Sequence, residues 1–277
     1  MRTFSYRPLT TLDDYARVVE LERVIWGPGY DDVVPVSILG ISVLRGGILI
    51  GAFEGDRMVG FVYSLPAIKH GRTTQWSHML GVVDDCRNDG VGHRLKLLQR
   101  ERTIEIGLDL IEWTYDPMQA LNAHLNFSKL GVVVHEYEIN VYGTSNSPLH
   151  AGNPTDRFVA EWNIREPHVE RRLAAAAKGS PLVVRAHDVA DAAHANEPAG
   201  AGAWPECGSV RLDLTDRRIA VQIPMGFTEM LVDAPEAALA WRMATREIFT
   251  TYFSRGYKAV DFILDRPRRR GAYLLAS

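Results

Sequence analysis

The six residues Arg87-Asn88-Asp89-Gly90-Val91-Gly92 separate a strand-like run, 76–83, from a helix-like run, 91–106, and no other feature constrains the fold as much. A loop that opens a helix presents backbone N–H groups with no intrahelical acceptor, and the helix dipole adds partial positive charge there. The position therefore suits a phosphate or pyrophosphate. The Gly-x-Gly pair alone decides little, because it recurs at Gly27/Gly29 and Gly200/Gly202 in a chain with 23 glycines. Only the copy at Gly90/Gly92 follows an apolar strand and opens an amphipathic segment, with Val91, Leu95 and Leu98 spaced for one helical face. The third glycine of a dinucleotide-binding loop would fall at Leu95, which argues against a Rossmann fingerprint.

The stretch Leu80-Gly81-Val82-Val83-Asp84-Asp85-Cys86-Arg87-Asn88-Asp89-Gly90-Val91-Gly92 resembles motif A of the GNAT superfamily, the acyl-CoA-dependent N-acyltransferases. There a strand ending in Leu-x-Val is followed by Arg/Gln-x-x-Gly-x-Gly/Ala. Leu125-Asn126-Phe127-Ser128-Lys129-Leu130-Gly131-Val132 is similar to that family's helix-ending Leu-Tyr-x-x-Leu-Gly-Phe, and the resemblance covers residues 1–145. It implies an α/β (α+β) fold with a mixed, mostly antiparallel central sheet flanked by helices. It also implies transfer of an acyl group, acetyl in the first instance, from acyl-CoA to an amine attacking directly in a ternary complex. By position, the main chain of Leu80, Gly81, Val82 and Val83 would bind pantetheine and polarise the thioester. The residues Arg87, Asn88, Asp89, Gly90, Val91, Gly92 and His93 would hold the pyrophosphate, and Asn122 would hydrogen-bond CoA or the acyl group. No metal is expected.

The pattern of residues agrees with that order of elements. Residues 4–9 read as a strand and Thr11-Leu12-Asp13-Asp14 as a helix start, with Gly27-Pro28-Gly29 as its stop. A helix over 35–44 follows, then strands over 48–54 and 58–65 joined by Gly55-Asp56-Arg57, a hairpin signal. After the loop and its helix come a strand at 109–115, a helix at 118–130 and a strand at 132–142, giving β-α-α-β-β-β-α-β-α-β. Residues 146–180 read as a connecting segment with one helix, 166–178, and Ser145-Asn146-Ser147-Pro148 marks a loop. The Ala-, Gly- and Pro-rich stretch 190–206 reads as a loop. Strands are expected at 209–214, 218–223, 257–264 and 271–275, and a long helix at 235–254. The domains expected are thus 1–145, a connector 146–180, and an α/β module 181–277 packed on the first. Phe127-Ser128-Lys129-Leu130-Gly131-Val132 and Phe253-Ser254-Arg255-Gly256-Tyr257 both end a helix and start a strand, so the module is either a degenerate half-copy of the first fold or ordinary helix-Gly-strand punctuation.

Composition narrows the partners. Hydrophobic residues make up 46% of the 277 and charged residues 23%, ordinary values for a soluble globular chain. A net charge of -3 gives no electrostatic case for nucleic acid, and no run approaches a membrane span. The N-terminus lacks the apolar core of a secretory signal. The lone cysteines Cys86 and Cys207 supply neither a disulfide framework nor a four-ligand zinc site, which fits a reducing cytoplasm. The expected partners are a small-molecule or peptide amine and, as an assembly, a homodimer.

Three chemical roles remain. General-base candidates are His78 and Glu112, on strands bordering the cleft that the resemblance implies; register decides whether either side chain faces inward. The family's proton-donating tyrosine falls at Phe127, whose ring has no proton to give, and Tyr115 is the substitute considered. The carboxylates Asp84, Asp85 and Asp89 crowd an anion site, with Arg87, Arg94 and Lys96 available to offset them. Asp116 is placed to cap the helix that follows it, and His124 reads as a surface residue. All six tryptophans are read as packing residues, with Trp162, Trp204 and Trp241 also considered for an acceptor pocket. Arg268-Arg269-Arg270 reads as a solvated turn or an anion clamp. Phe127 also leaves open an acyl-CoA-binding sensor with weak or no turnover.

Overall fold

The structure, a computed structural model, describes residues 2–27, 30, 32–143, 152–182, 184, 191–200 and 203–277. The expected breaks at Pro28-Gly29 and Ser145–148, and Gly202 of the third Gly-x-Gly pair, lie outside these residues. Packing groups the chain into two units, residues 1–113 with 163–165, and 114–162 with 166–277. This partition in space differs from the sequence modules 1–145, 146–180 and 181–277.

Unit 1 is a helix-flanked sheet. Thr11 starts helix α1, Leu12–Trp26, through a reciprocal capping box with Asp14, an arrangement worth about 1 kcal/mol. Helix α2, Val36–Leu44, follows, and then strands β2, Ile48–Glu54, and β3, Arg57–Lys69. Strand β4, Arg72–Val82, turns back from β3 at His70-Gly71, so both strands run well past the limits that their apolar cores suggest. With β1, Ser5–Pro8, and β5, Leu110–Tyr115, the order is β1-β2-β3-β4-β5. Every pair is antiparallel except β4–β5, which is parallel. Helix α3, Val91–Glu105, connects β4 to β5, and Val91 and Leu95 are buried in the same core as Phe61, Val62 and Met79.

In unit 2 the helix expected at 118–130 is a short α4, Ala120–Ala123, continued by a π-helical stretch, His124–Leu130. Asp116 accepts from the Met118 N–H at 2.8 Å just before it. Strand β6, Val133–Glu138, pairs with β7, Arg157–Asn163, a strand absent from the sequence reading of 146–180. Phe158, Val159, Ala160 and Trp162 are all buried, so this strand lacks the polar-apolar alternation that betrays a half-exposed one. Helix α5, Pro167–Ala177, is the helix expected in the connector. The stretch 190–206 holds short strands β8, Ala193–His194, and β9, Asn196–Ala199, where a loop was expected; β9 pairs with β10, Glu206–Val210. Then come β11, Arg218–Pro224, helices α6, Phe227–Asp233, and α7, Pro235–Ser254, and strands β12, Lys258–Asp265, and β13, Arg270–Ala276.

The unit 2 sheet has the order β7-β6-β12-β13-β11-β8, and it reads almost the same from either side of its middle. Helix, glycine, strand, strand occurs twice: α4 with its π stretch, Gly131, β6 and β7, then α7, Gly256, β12 and β13. The two hairpins meet antiparallel at Ala259↔Val134, and each of β6 and β12 has a register shift just beyond that pair. This is the arrangement a half-copy produces. An aromatic cluster fills the unit, with Phe158–Phe249 centroids 4.7 Å apart and Tyr273 5.3 Å from both. The fold class expected from sequence, mixed and mostly antiparallel with flanking helices, is the one observed, and among the described residues no helix is long and apolar enough to cross a membrane.

Candidate acyl-CoA site

Strand β4 leads into the loop that dominates the sequence. Its described pairs with β5 are Gln75↔Ile111 and Trp76↔Glu112, so among the described residues the rest of β4, from Ser77 to Val82, has no ladder partner on that edge. On the other edge Tyr63 pairs with Met79 and Ser64 with Ser77, which leaves His78 as an extra, bulged residue. Bulges bend a strand and re-aim side chains. The parting of β4 from β5 after Trp76 and the bulge at His78 both fall a few residues before Leu80-Gly81-Val82-Val83.

Close packing fixes that segment. A Cβ on Gly81 would lie 2.7 Å from Ile25 Cδ1 and 3.2 Å from Trp26, so glycine here lets the end of α1 rest on β4. On the opposite face Leu80 and Val82 lie beneath Gly92. After Val83, a 3-10 turn, Asp84–Cys86, leads to Asn88 at φ 71° and Gly90 at φ 82°, both left-handed. Gly90 is the N-cap of α3 and, as a glycine, offers no side-chain capping bond to the first turn, where Gly92 and His93 lie. Arg94 N–H already bonds back to Gly90 O at 3.0 Å.

The carboxylates around the loop are paired with cations, of which only Arg87 is among those expected. Asp85 accepts from Arg57 at 2.9 Å and from Arg2 at 3.0 Å, and these two guanidinium groups hold its carboxyl well below the usual range. Asp84 pairs with Arg87 at 2.7 Å, and Asp89 lies 3.7 Å from Arg2. Lys96 takes no part. It is buried, donates to Ser77 Oγ at 2.8 Å and sits 3.6 Å from the Trp113 ring centroid, and burial pushes its pKa far down. Arg94 pairs with Glu101 at 3.3 Å along α3. Cys86 is buried, and burial raises its thiol pKa, against a reactive role.

The base candidates separate. His78 is exposed at the bulge, edge-on to Tyr63 at 5.9 Å, and the protein packed about its ring lowers its pKa by desolvation. Its imidazole is therefore neutral at pH 7. Glu112 is buried, with one oxygen on Lys69 Nζ at 2.9 Å and the other on Thr74 Oγ1 at 3.1 Å, so both of its oxygens are engaged. In unit 2 the Tyr115 hydroxyl turns into the aromatic cluster toward Tyr273 Oη at 3.5 Å, and burial raises its pKa well above the usual value. Phe127 is fully buried against Tyr273. Asn122 is exposed on α4, whereas His124, expected at the surface, is half-buried and its pKa is lowered by desolvation and by Lys129 and Arg266. Trp162 and Trp241 are core residues that donate to Leu130 O and Pro205 O, both at 2.8 Å. Trp204 is half-buried with Arg269 over its ring, and Arg268 and Arg270 pair with Asp265 across the β12–β13 turn.

Glu22 is among the titratable groups that nothing in the sequence singles out. Glu22 on α1 is fully buried, accepts from Val34 N–H at 2.9 Å with one oxygen, and has no hydrogen-bond partner for the other. Burial pushes its pKa up to about 7, partly reversed by the Val34 N–H. A carboxyl raised in the folded state favours folding below its unfolded value near 4.5 and loses that contribution as pH rises to about 7. Replacing Glu22 by Gln keeps an acceptor for Val34. The variant is expected to gain on the order of 2–3 kcal/mol relative to wild type between pH 4.5 and pH 8 in urea unfolding. Equal pH slopes for the two proteins would refute this.

No protein-family model matches the chain, and no curated protein matches it. Among solved structures it is similar to the ribosomal-protein-S18-alanine N-acetyltransferase from Escherichia coli, at 13% identity and TM-score 0.48 over 59% of this chain and 96% of that one. It is also similar to a GNAT-family acetyltransferase from Streptococcus pneumoniae, at 17% identity and TM-score 0.47 over 57% of this chain and 98% of that one. A third is the PaiA N-acetyltransferase from Thermoplasma acidophilum in complex with coenzyme A, at 15% identity and TM-score 0.41 over 58% of this chain and 99% of that one. All three are acetyltransferases. In its motif and in the order of its first ten strands and helices the chain resembles the GNAT superfamily.

Proposed function

We propose that the chain is an acyl-CoA-dependent N-acyltransferase, most simply an acetyltransferase acting on a small-molecule or peptide amine. The observation that carries this reading is the uncapped start of α3 beside a β4 that leaves its parallel partner after Trp76. Backbone N–H groups at Gly92 and His93, reached over Gly90, suit the pyrophosphate of CoA. The unladdered main chain of Leu80, Gly81, Val82 and Val83 suits the pantetheine amides and, at the thioester, would stabilise charge developing on the carbonyl oxygen.

In this reaction the amine nitrogen attacks the thioester carbonyl carbon, the C–S bond breaks, and the nitrogen gives up a proton while the thiolate takes one. The neutral, accessible imidazole of His78 is the group suited to the first proton. Glu112, already engaged by Lys69 and Thr74, is less suited. Phe127 and Tyr115 are both packed into an aromatic core, so the thiolate's proton comes from another group or from water. That same observation favours a second reading, an acyl-CoA-binding protein with weak or no turnover.

Thiol release from acetyl-CoA across a panel of amines tests both. His78→Ala is expected to lower turnover about 10²-fold, the scale of a lost general base, with acetyl-CoA affinity unchanged. Wild-type turnover is expected to fall at acidic pH, where His78 becomes protonated. Unaltered turnover in the variant removes His78 from the mechanism, and tight binding without thiol release for any amine supports the second reading.

A further inference from the structure

Strand β6 carries a second cluster of ligating side chains, wholly within unit 2. His135 is the extra residue where the β6–β7 register shifts, between Val134↔Ala160 and Glu136↔Val159. The shift breaks the alternation that would send His135 and Glu136 to opposite faces, and both turn to Glu161 on β7. His135 Nε2 lies 3.6 Å from Glu136 Oε1 and 3.6 Å from Glu161 Oε1, and all three ligand atoms fall within 4.8 Å of one another.

Those distances fit a metal set as well as an ion-pair cluster. At 3.6 Å the imidazole is too far from either carboxylate for a hydrogen bond, which needs about 2.7–3.2 Å. Two ligand atoms each about 2.1 Å from one ion stand about 3.4 Å apart in a tetrahedron. The set is one nitrogen and two carboxylates, partly open to solvent. The shift itself belongs to the fold, because β12 has one at the matching place, but there the residue is Val260. The imidazole is peculiar to β6.

We propose that His135, Glu136 and Glu161 bind a divalent transition-metal ion, zinc above all, which would clamp the β6–β7 hairpin. This departs from the expectation of no metal, which weighed only a cysteine site. The test needs neither CoA nor an amine, so its outcome is separate from that of the acyltransferase reading.

The full chain, stripped with EDTA, is titrated with zinc chloride by calorimetry and with cobalt(II) by visible absorption. One site is expected, with a cobalt spectrum of four-coordinate intensity and a rise in melting temperature on adding zinc. Glu161→Gln and His135→Gln should each weaken binding at least about 10–100-fold, since even outer-shell partners of metal ligands are worth that much. His70→Gln, at the exposed turn between β3 and β4, should leave it unchanged. The metal-free melting temperature of each variant checks that the hairpin still forms. Wild-type protein that binds no zinc, or binding that survives both ligand substitutions, would mean that the three residues are only an ion-pair cluster.

Discussion

Acetyl-CoA titrated into the wild-type chain is expected to give a one-site isotherm, and Gly92→Trp is expected to abolish it. Gly92 and His93 lie in the first turn of α3, whose N-cap is Gly90, and two charge-assisted hydrogen bonds to a pyrophosphate are worth about 1.5–3 kcal/mol each, or 10²-fold and more together. A Cβ at position 92 would lie 3.7 Å from Val82 Cγ2 and 3.8 Å from Leu80 Cδ2, ordinary contact distances, so Gly92→Ala should fold and bind. An indole has to extend beyond that space, over the N-terminus of α3 or along the end of β4, which is the path proposed for the pantetheine arm. Circular dichroism on both variants separates blocked binding from lost fold. Absence of heat in wild type at millimolar acetyl-CoA would remove the donor site. An undiminished isotherm in Gly92→Trp would move it elsewhere.

That site was legible in the sequence because its parts are local. Strand end, turn, left-handed Gly90 and uncapped helix all lie between Leu80 and His93, and each leaves a short-range mark. What lies around the loop was not legible. Arg2 and Arg57 reach Asp85 from distant positions in the chain, and the nearer Lys96, expected to offset the carboxylates, points into the core. The bulge at His78 depends on how β4 pairs with β3, and a register is a property of two strands that neither carries alone. Likewise Glu22 reads as one more helix-surface carboxylate until Val34 and the core close over it. In unit 2 the paired Phe-Ser motifs left a repeat and ordinary helix-Gly-strand punctuation both open, and β7 was hidden because both of its faces are buried. Nor does anything in His124–Leu130 mark a π-helical turn.

Arg242→Ala is expected to be the most damaging single truncation in unit 2, at about 3–5 kcal/mol. Its guanidinium is 1% exposed and grips Asp116 with two bonds, 2.6 and 2.8 Å, while Asp116 also accepts from the Met118 N–H that begins the α4 region. Removing the cation leaves a buried carboxylate whose remaining charged neighbour, Arg157, is 3.9 Å away. Burial by itself pushes the Asp116 pKa up, and Arg242 first, with Arg157 and the Met118 N–H, more than reverses this, so the net position is below the usual value. A depressed carboxylate stabilises the fold above its unfolded pKa, near 3.8, and loses that contribution on acidification. Without Arg242 the carboxyl can escape its unpaired charge by taking a proton. The stability gap between wild type and Arg242→Ala, followed in urea by the fluorescence of the adjacent buried Trp241, should therefore be wide at pH 7 and narrow towards pH 4. A double change, Arg242→Met with Asp116→Leu, should recover part of the loss at pH 7, because it removes both charges. It cannot recover all of it, since Met118 N–H then loses its acceptor. A gap independent of pH would mean that Arg242 acts through packing of its stem, including its place 5.0 Å from the Phe227 ring, rather than through Asp116.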